Sequence, residues 1–168
     1  MTGKTFRKLM RADREAIEGI GQDIRAAASV GDGRFVRHGF KLLLSVMDGA
    51  QETMETYFKP LPGSGRLGAS IPEDVGKSWI YGSPQEILEN MYVAKSMYET
   101  FIEDWNWAAD FSDEDEARQF DRRRVNYMRR LAIIVIVGKD LISKNDQQFW
   151  TDKMEHDFKD WLSFEFEP

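Results

Sequence analysis

Cysteine is absent from the 168 residues of this chain. Its absence excludes disulfide bonds, thiolate ligands for a metal ion and a thiol nucleophile. Long apolar runs are missing as well, because the longest extends only from Leu131 to Val137, whereas a membrane-spanning helix needs about twenty residues. The N-terminal stretch carries charges where a secretory signal would need an apolar segment. We therefore expect a cytoplasmic protein that does not associate with membranes.

An excess of positive charge is also lacking, since 23 Lys and Arg face 29 Asp and Glu and the net charge is −6. Residues 1–43 hold nine basic and five acidic side chains, a local charge of +4, which leaves −10 for the remainder. Nucleic-acid-binding domains are normally basic, so general affinity for DNA or RNA is not expected. Nucleic-acid binding through the basic N-terminal helix is kept as the third functional hypothesis.

Apolar residues recur every three or four positions along nearly the whole chain, which predicts an all-α fold. The length suits one domain, so we expect a single-domain bundle of five helices over residues 1–168. The predicted helices cover residues 4–29, a segment from about residue 35 to just before Pro60, residues 83–110, residues 112–143, and a last helix that Asn145-Asp146 caps and that extends to Leu162.

Two helix starts have clear sequence signals. Ser83 stands before Pro84 and Glu86, which predicts a serine cap, a proline in the first turn and a glutamate that reaches back in a capping box. Residues 112–115, Ser-Asp-Glu-Asp, place acidic side chains in the first turn of the following helix. Acidic residues are favoured there by the helix dipole, without any catalytic role.

The same periodicity predicts which residues are buried. Residues 131–137 are apolar on every side, which indicates the most buried helix of the bundle. A buried strand is the alternative for this β-branched run, but the helical segment before it and the lack of partner strands favour a helix. For the first helix, the predicted buried stripe comprises Phe6, Leu9, Met10, Ile17, Ile20, Ile24 and Ala27.

Residues 60–82 contain three prolines and five glycines, which predicts a long irregular connection between the second and third helices. A short β-hairpin formed by residues 66–71 and 77–82 is an alternative. Gly63, Gly65 and Gly68 match the G-x-G-x-x-G pattern of dinucleotide-binding proteins. That pattern requires a strand before it and a helix after it, whereas here a helix precedes it and Pro72 follows. We therefore interpret the glycines as part of a surface loop.

Two pairs of carboxylates merit attention as potential metal ligands. Glu86 and Glu89 lie one turn apart on the third predicted helix, and Asp113 and Glu116 lie one turn apart at the start of the fourth. All-α nucleotide pyrophosphohydrolases hold Mg²⁺ with a similar arrangement, Glu-x-x-Glu on one helix and Glu-x-x-Asp on the next. The second pair here is inverted relative to that pattern, and both pairs occupy first turns, where helix capping alone favours acids.

The remaining candidates for partner binding are basic and aromatic side chains. Five arginines lie within residues 122–130, and neighbouring acidic residues on the same helix are expected to pair with some of them. Trp105 continues a core stripe, so Trp107 must point away from it. Trp79 and Tyr81 fall in the long loop. The residues assigned to partner binding are Trp79, Tyr81, Trp107, Arg122, Arg123, Arg129 and Arg130.

These patterns favour a non-enzymatic protein that needs no cofactor and no metal and that binds another protein or protein complex. Aromatic side chains in excess of what a core of this size requires are typical of binding surfaces. Small inhibitors encoded by phages or plasmids, including those that block bacterial defence complexes, share this size and composition. The first hypothesis is therefore an inhibitor or regulator of a macromolecular complex, and the second is a Mg²⁺-dependent nucleotide pyrophosphohydrolase.

Overall fold

The computed structural model describes residues 2–58 and 83–166. These residues form six α-helices and, between α3 and α4, one 3₁₀ turn at Ala109–Phe111. No strand occurs in the described ranges, so the predicted all-α fold is confirmed. The helices are α1 Gly3–Ser29, α2 Gly33–Tyr57, α3 Pro84–Ala108, α4 Glu114–Asn145, α5 Asp152–Asp157 and α6 Lys159–Leu162.

The four long helices pack as an up-down-up-down bundle. α1 and α2 are antiparallel, because Phe6 at the start of α1 stacks on Tyr57 at the end of α2 with ring centroids 4.5 Å apart. α3 runs parallel to α1 and antiparallel to α4, which lies on the far side of α2 and α3 from α1. We call the end that holds the starts of α1 and α3 the base, and the end that holds the starts of α2 and α4 the top.

The helix starts follow the predicted chemistry in most details. Ser83 accepts a hydrogen bond from the Glu86 backbone amide, and Asp113 forms a reciprocal capping box with Glu116. The Glu86 side chain, however, does not reach back to the Ser83 backbone as predicted. Its carboxylate lies 3.7 Å from the Arg7 guanidinium, a partner on α1 that local sequence could not indicate.

The core is centred on the apolar part of α4. Residues 131–137 are helical and, apart from partly buried Ile136, all buried, as the sequence predicted. Tyr127, one turn earlier, is fully enclosed and donates a hydrogen bond to the Ala94 carbonyl oxygen, and burial raises its pKa above the ordinary value. In the described residues no helix is both long and apolar enough to cross a membrane.

The C-terminal segment differs from the prediction of one helix capped by Asn145-Asp146. α4 continues to Asn145, and Asp146 begins a turn instead. The next helix starts only at Thr151, whose hydroxyl oxygen accepts a hydrogen bond from the Met154 backbone amide. In place of one long helix, this segment forms two short helices, α5 and α6. The described residues therefore contain six helices, four long and two short, where about five were expected. Phe158 and Trp161 of this segment pack against the outer surface of α3 and α4.

Candidate functional site

The structure describes only some of the predicted partner-binding residues. Trp79, Tyr81 and the predicted connection at residues 60–82, with its hairpin alternative and its glycine motif, lie outside the described residues and stay predictions. Trp107 points outward, with 48% of its surface exposed. Trp105 is turned inward, where its ring stacks on Phe120 with centroids 4.4 Å apart. The divergence of the two indoles is the one that helical geometry requires.

Half of the predicted arginine cluster is occupied by ion pairs within the chain. Arg123 lies 3.0 Å from an Asp48 carboxylate oxygen, and Arg130 lies 2.9 Å from Glu55. These contacts attach α4 to α2. Arg122 and Arg129 are exposed and have no ion pair among the described residues. The cluster therefore offers two cations to a partner rather than four, and α2 and α3 separate it from the basic side of α1.

The two carboxylate pairs do not converge. Glu86 and Glu89 lie at the base, where both face Arg7 at 3.7 and 3.9 Å. Asp113 and Glu116 lie at the top, after the full length of α3, and at 1.5 Å per residue the pairs are roughly 28 Å apart. No group of three or more His, Asp or Glu side chains in the described parts of the chain is placed to hold a metal ion.

The acidic pair at the top binds a cation of the protein itself. Arg37 donates from Nε to Glu116 at 2.8 Å and from Nη2 to Asp113 at 2.9 Å. The pKa of Asp113 is lowered, first by the hydrogen bond from the Glu116 backbone amide and also by the charge of Arg37. Hydrogen bonding to Glu116 raises the pKa of Arg37. These interactions connect α2 to the start of α4 and stabilise the packing of the two helices.

Exposed apolar residues identify a surface that the sequence prediction missed. Five large apolar side chains are exposed in the described ranges, and four of them belong to α1, α2 and the turn that joins them. They include Leu9, which the sequence assigned to the buried stripe; that assignment is wrong, because 41% of its surface is exposed. The four are Leu9 at 41%, Leu42 at 45%, Phe35 at 62% and Val30 at 78% exposed.

These residues lie on one face of the α1–α2 pair. Phe6 and Ile24 lie on the side of α1 that packs against α2, and Gly21 lies on the side that packs against α3. Residues on the remaining side of α1 therefore face away from the bundle. Positions spaced by three and four residues lie on one side of a helix. We call this side the α1–α2 outer face; it comprises Leu9, Ala12, Ala16, Gly19, Asp23, Ala26 and Val30 with Phe35, His38, Leu42, Val46, Gly49, Thr53 and Thr56.

The outer face carries almost no charge. Asp23 is its one acidic residue, and its one basic residue is Lys8, at the edge of the face in line with Ala26, although 31% of the whole chain is charged. No side chain covers its two glycines, because a methyl group added at Gly19 or Gly49 would meet no atom within 4 Å. The charged residues of α1, such as Lys4, Arg11 and Glu18, lie on other sides of that helix. The second run of three-and-four spacing on α1 is the sequence signal that reveals this face.

Comparison with known proteins adds no relative. No protein-family model, no curated protein and no solved structure matches the chain.

Proposed function

We propose that this chain is a non-enzymatic protein-binding module whose docking surface is the α1–α2 outer face. The observation that carries the proposal is the concentration of four of the five exposed large apolar side chains on this face. Single exposed apolar residues are normal, but a contiguous apolar patch bordered by polar residues marks an interaction site. A module of this kind acts as an inhibitor or regulator by occupying the surface of another protein.

Burial of this face would stabilise a complex because water leaves apolar side chains. Phe35 and Leu42 lie two helical turns apart and expose 62% and 45% of their surfaces. Each contributes roughly 1–2 kcal/mol when it becomes buried, at about 25 cal/mol per Å² of apolar area. The cores of protein interfaces are depleted in charged residues, and the composition of the outer face has this property. Phe35 is the anchor that we expect to contribute most.

The nucleotide pyrophosphohydrolase hypothesis receives no support from the geometry. Its four carboxylates, Glu86, Glu89, Asp113 and Glu116, occupy opposite ends of the bundle, and each pair faces an arginine. Catalysis by a bound Mg²⁺ needs carboxylates that share one ion. The docking proposal has the advantage that its residues share one face of the α1–α2 pair.

The proposal is tested by placing a photo-crosslinking amino acid at position 42 of the full chain in its native host. The matched control carries the same group at Arg118, an exposed position on α4 that is remote from the outer face. We expect adducts with polypeptides at position 42 to exceed those at position 118 by about tenfold or more, since contact time scales with affinity. Equal yields at the two positions would remove the outer face as the docking surface.

A further inference from the structure

The charge of the outer face restricts the chemistry of its partner. A strongly basic or acidic partner surface would gain little electrostatic attraction there, because the charged residues of the face are one acid, Asp23, and one base at its edge, Lys8. Charged groups buried without a counterpart lose their hydration and weaken a complex. The partner must therefore present a surface that is equally poor in charge, made of small and apolar side chains. The same face on another molecule of this chain meets that requirement.

The size of the face agrees with a homodimer. α1 and α2 lie side by side over about 32 Å, at 1.5 Å per residue, and two packed helices are about 20 Å wide. The face together with its borders therefore covers roughly 600–700 Å² on each copy. Two such faces would bury about 1,200–1,400 Å² in total, within the range of specific protein–protein interfaces. A shorter or narrower patch would be too small for a dimer of two compact domains.

The distribution of small and large residues also permits two copies to approach closely. Gly19, Ala16 and Ala12 form a shallow stretch on α1, and Gly49 provides the corresponding stretch on α2. Leu9 stands at the base end of the face and Phe35 at the top end, whereas Leu42 lies near the middle of α2. A twofold axis that crosses the helices at the middle of the face places Leu42 of one copy opposite Gly49 of the other, which is the self-complementarity that a C₂ interface needs.

We infer, on the basis of the docking function proposed above, that the α1–α2 outer face is covered by the same face of a second copy of this chain. The two α1–α2 pairs then form a layer of four helices at the centre of the dimer. Trp107, Arg122 and Arg129 lie on α3 and α4, away from this layer, and each occurs twice in the dimer. They remain accessible to a further macromolecular partner.

The test is sedimentation equilibrium of the purified full chain over protein concentrations from about 1 to 200 μM, a range that covers micromolar dimers. Leu42→Glu places a charge near the centre of the face, and Phe35→Glu places one at its border. The matched control is Trp107→Glu, which changes the one large exposed apolar residue of the described ranges that lies off the face. Circular dichroism and melting temperature at the lowest concentration verify that each variant is folded.

We expect the wild-type chain and Trp107→Glu to dimerise with similar Kd values, and the two face variants to weaken dimerisation by about tenfold or more. A wild-type chain that is monomeric at every concentration overturns the inference. So does a dimer that Trp107→Glu weakens as much as Leu42→Glu does.

The failure of the inference can be separated from that of the proposed function. If the pure chain is monomeric while position 42 crosslinks to a different protein in the host, the docking function holds and the partner is not a second copy. If position 42 crosslinks only within its own chain, for example to residues 59–82, both proposals fail. An adduct of twice the chain mass, together with a concentration-dependent dimer, supports both.

Discussion

Asp104 is a carboxylate buried in the contact between α1 and α3, where 4% of its surface is exposed. Gly21 makes the space for it, since a methyl group at that position would lie 2.5 Å from Asp104 Oδ1. Its Oδ2 atom has no hydrogen-bond partner among the described residues. Loss of hydration raises the pKa of Asp104 to about 6, and the charge of Arg25 opposes this shift only in part.

This raised pKa predicts how stability depends on pH. The folded state binds the Asp104 proton more tightly than the unfolded state, in which the pKa is near 3.8. The stability that this group contributes is therefore full below about pH 4 and is lost as the pH rises through about 6. Replacement by asparagine removes the titration. We expect Asp104→Asn to raise the free energy of unfolding at about pH 7.5 by about 1–2 kcal/mol and to change it less at about pH 5.

Urea unfolding of the wild-type chain and of Asp104→Asn at the two pH values measures this effect. Asp110→Asn is the control, because it removes an exposed carboxylate shortly after the end of the same helix. An Asp104→Asn variant that loses stability at both pH values would mean that the carboxylate has a favourable partner in the folded state.

At the scale of secondary-structure elements, the close contact between α1 and α2 depends on one glycine. Gly39 on α2 faces Ile24 on α1, and a methyl group at Gly39 would lie 2.7 Å from Ile24 Cγ1. Ile24 is fully buried, so its β-branched side chain has little freedom to move. The close approach of the two helices at this point positions both halves of the α1–α2 outer face.

Gly39→Ala is therefore expected to destabilise the protein by about 1 kcal/mol. Alanine favours a helix over glycine by about 1 kcal/mol, but overpacking in a tight contact costs about 1–3 kcal/mol and exceeds that gain. The control is Gly19→Ala on α1, where an added methyl group meets no atom within 4 Å. That variant should be more stable by about 0.5–1 kcal/mol.

Thermal and urea unfolding at low protein concentration, where dimer formation does not contribute, compares the two glycine variants. If Gly39→Ala and Gly19→Ala change stability in the same direction, the packing of α1 against α2 is looser than the Ile24 contact indicates.

At the scale of the molecule, the helical fold was predictable because periodicity determines the helices and their buried faces. Periodicity alone, however, could not show which of two adjacent apolar stripes on α1 is buried. One stripe runs through Met10 and Ile17, and the other runs through Leu9 and Ala16. The choice depends on where α2 and α3 pack, which is tertiary information. The sequence therefore assigned Leu9 to the core, and for this reason the exposed apolar residues of the α1–α2 outer face were missed.

The separation of the carboxylate pairs was within reach of sequence reasoning. Consecutive helices of an up-down bundle begin at opposite ends, so acids in the first turns of α3 and α4 cannot meet unless a helix bends sharply. The pairing of Arg37 with Glu116 was not predictable, since 79 positions separate the two residues. The same is true of Arg7 with Glu86, which displaced the predicted capping box at Ser83.

The uneven charge of the whole molecule gives two binding modes opposite responses to salt. Each copy carries a net charge of −6, so salt screens the repulsion between the two copies of the proposed dimer. Raising NaCl from about 0.05 M to about 0.5 M should leave the dimer Kd unchanged or lower it. Binding of nucleic acid through Lys4, Lys8 and Arg11 of α1 would instead weaken steeply, because each neutralised phosphate releases counterions.

Sedimentation equilibrium at both salt concentrations measures the dimer, and the anisotropy of a labelled random-sequence duplex measures nucleic-acid binding in the same buffers. A dimer that dissociates at high salt would be held by ion pairs, which the outer face lacks, and a different surface would then form the interface. Duplex binding that is tight at low salt and lost at high salt would favour the basic side of α1 as the functional surface. Because the two responses have opposite signs, one salt series separates the apolar interface from the electrostatic one.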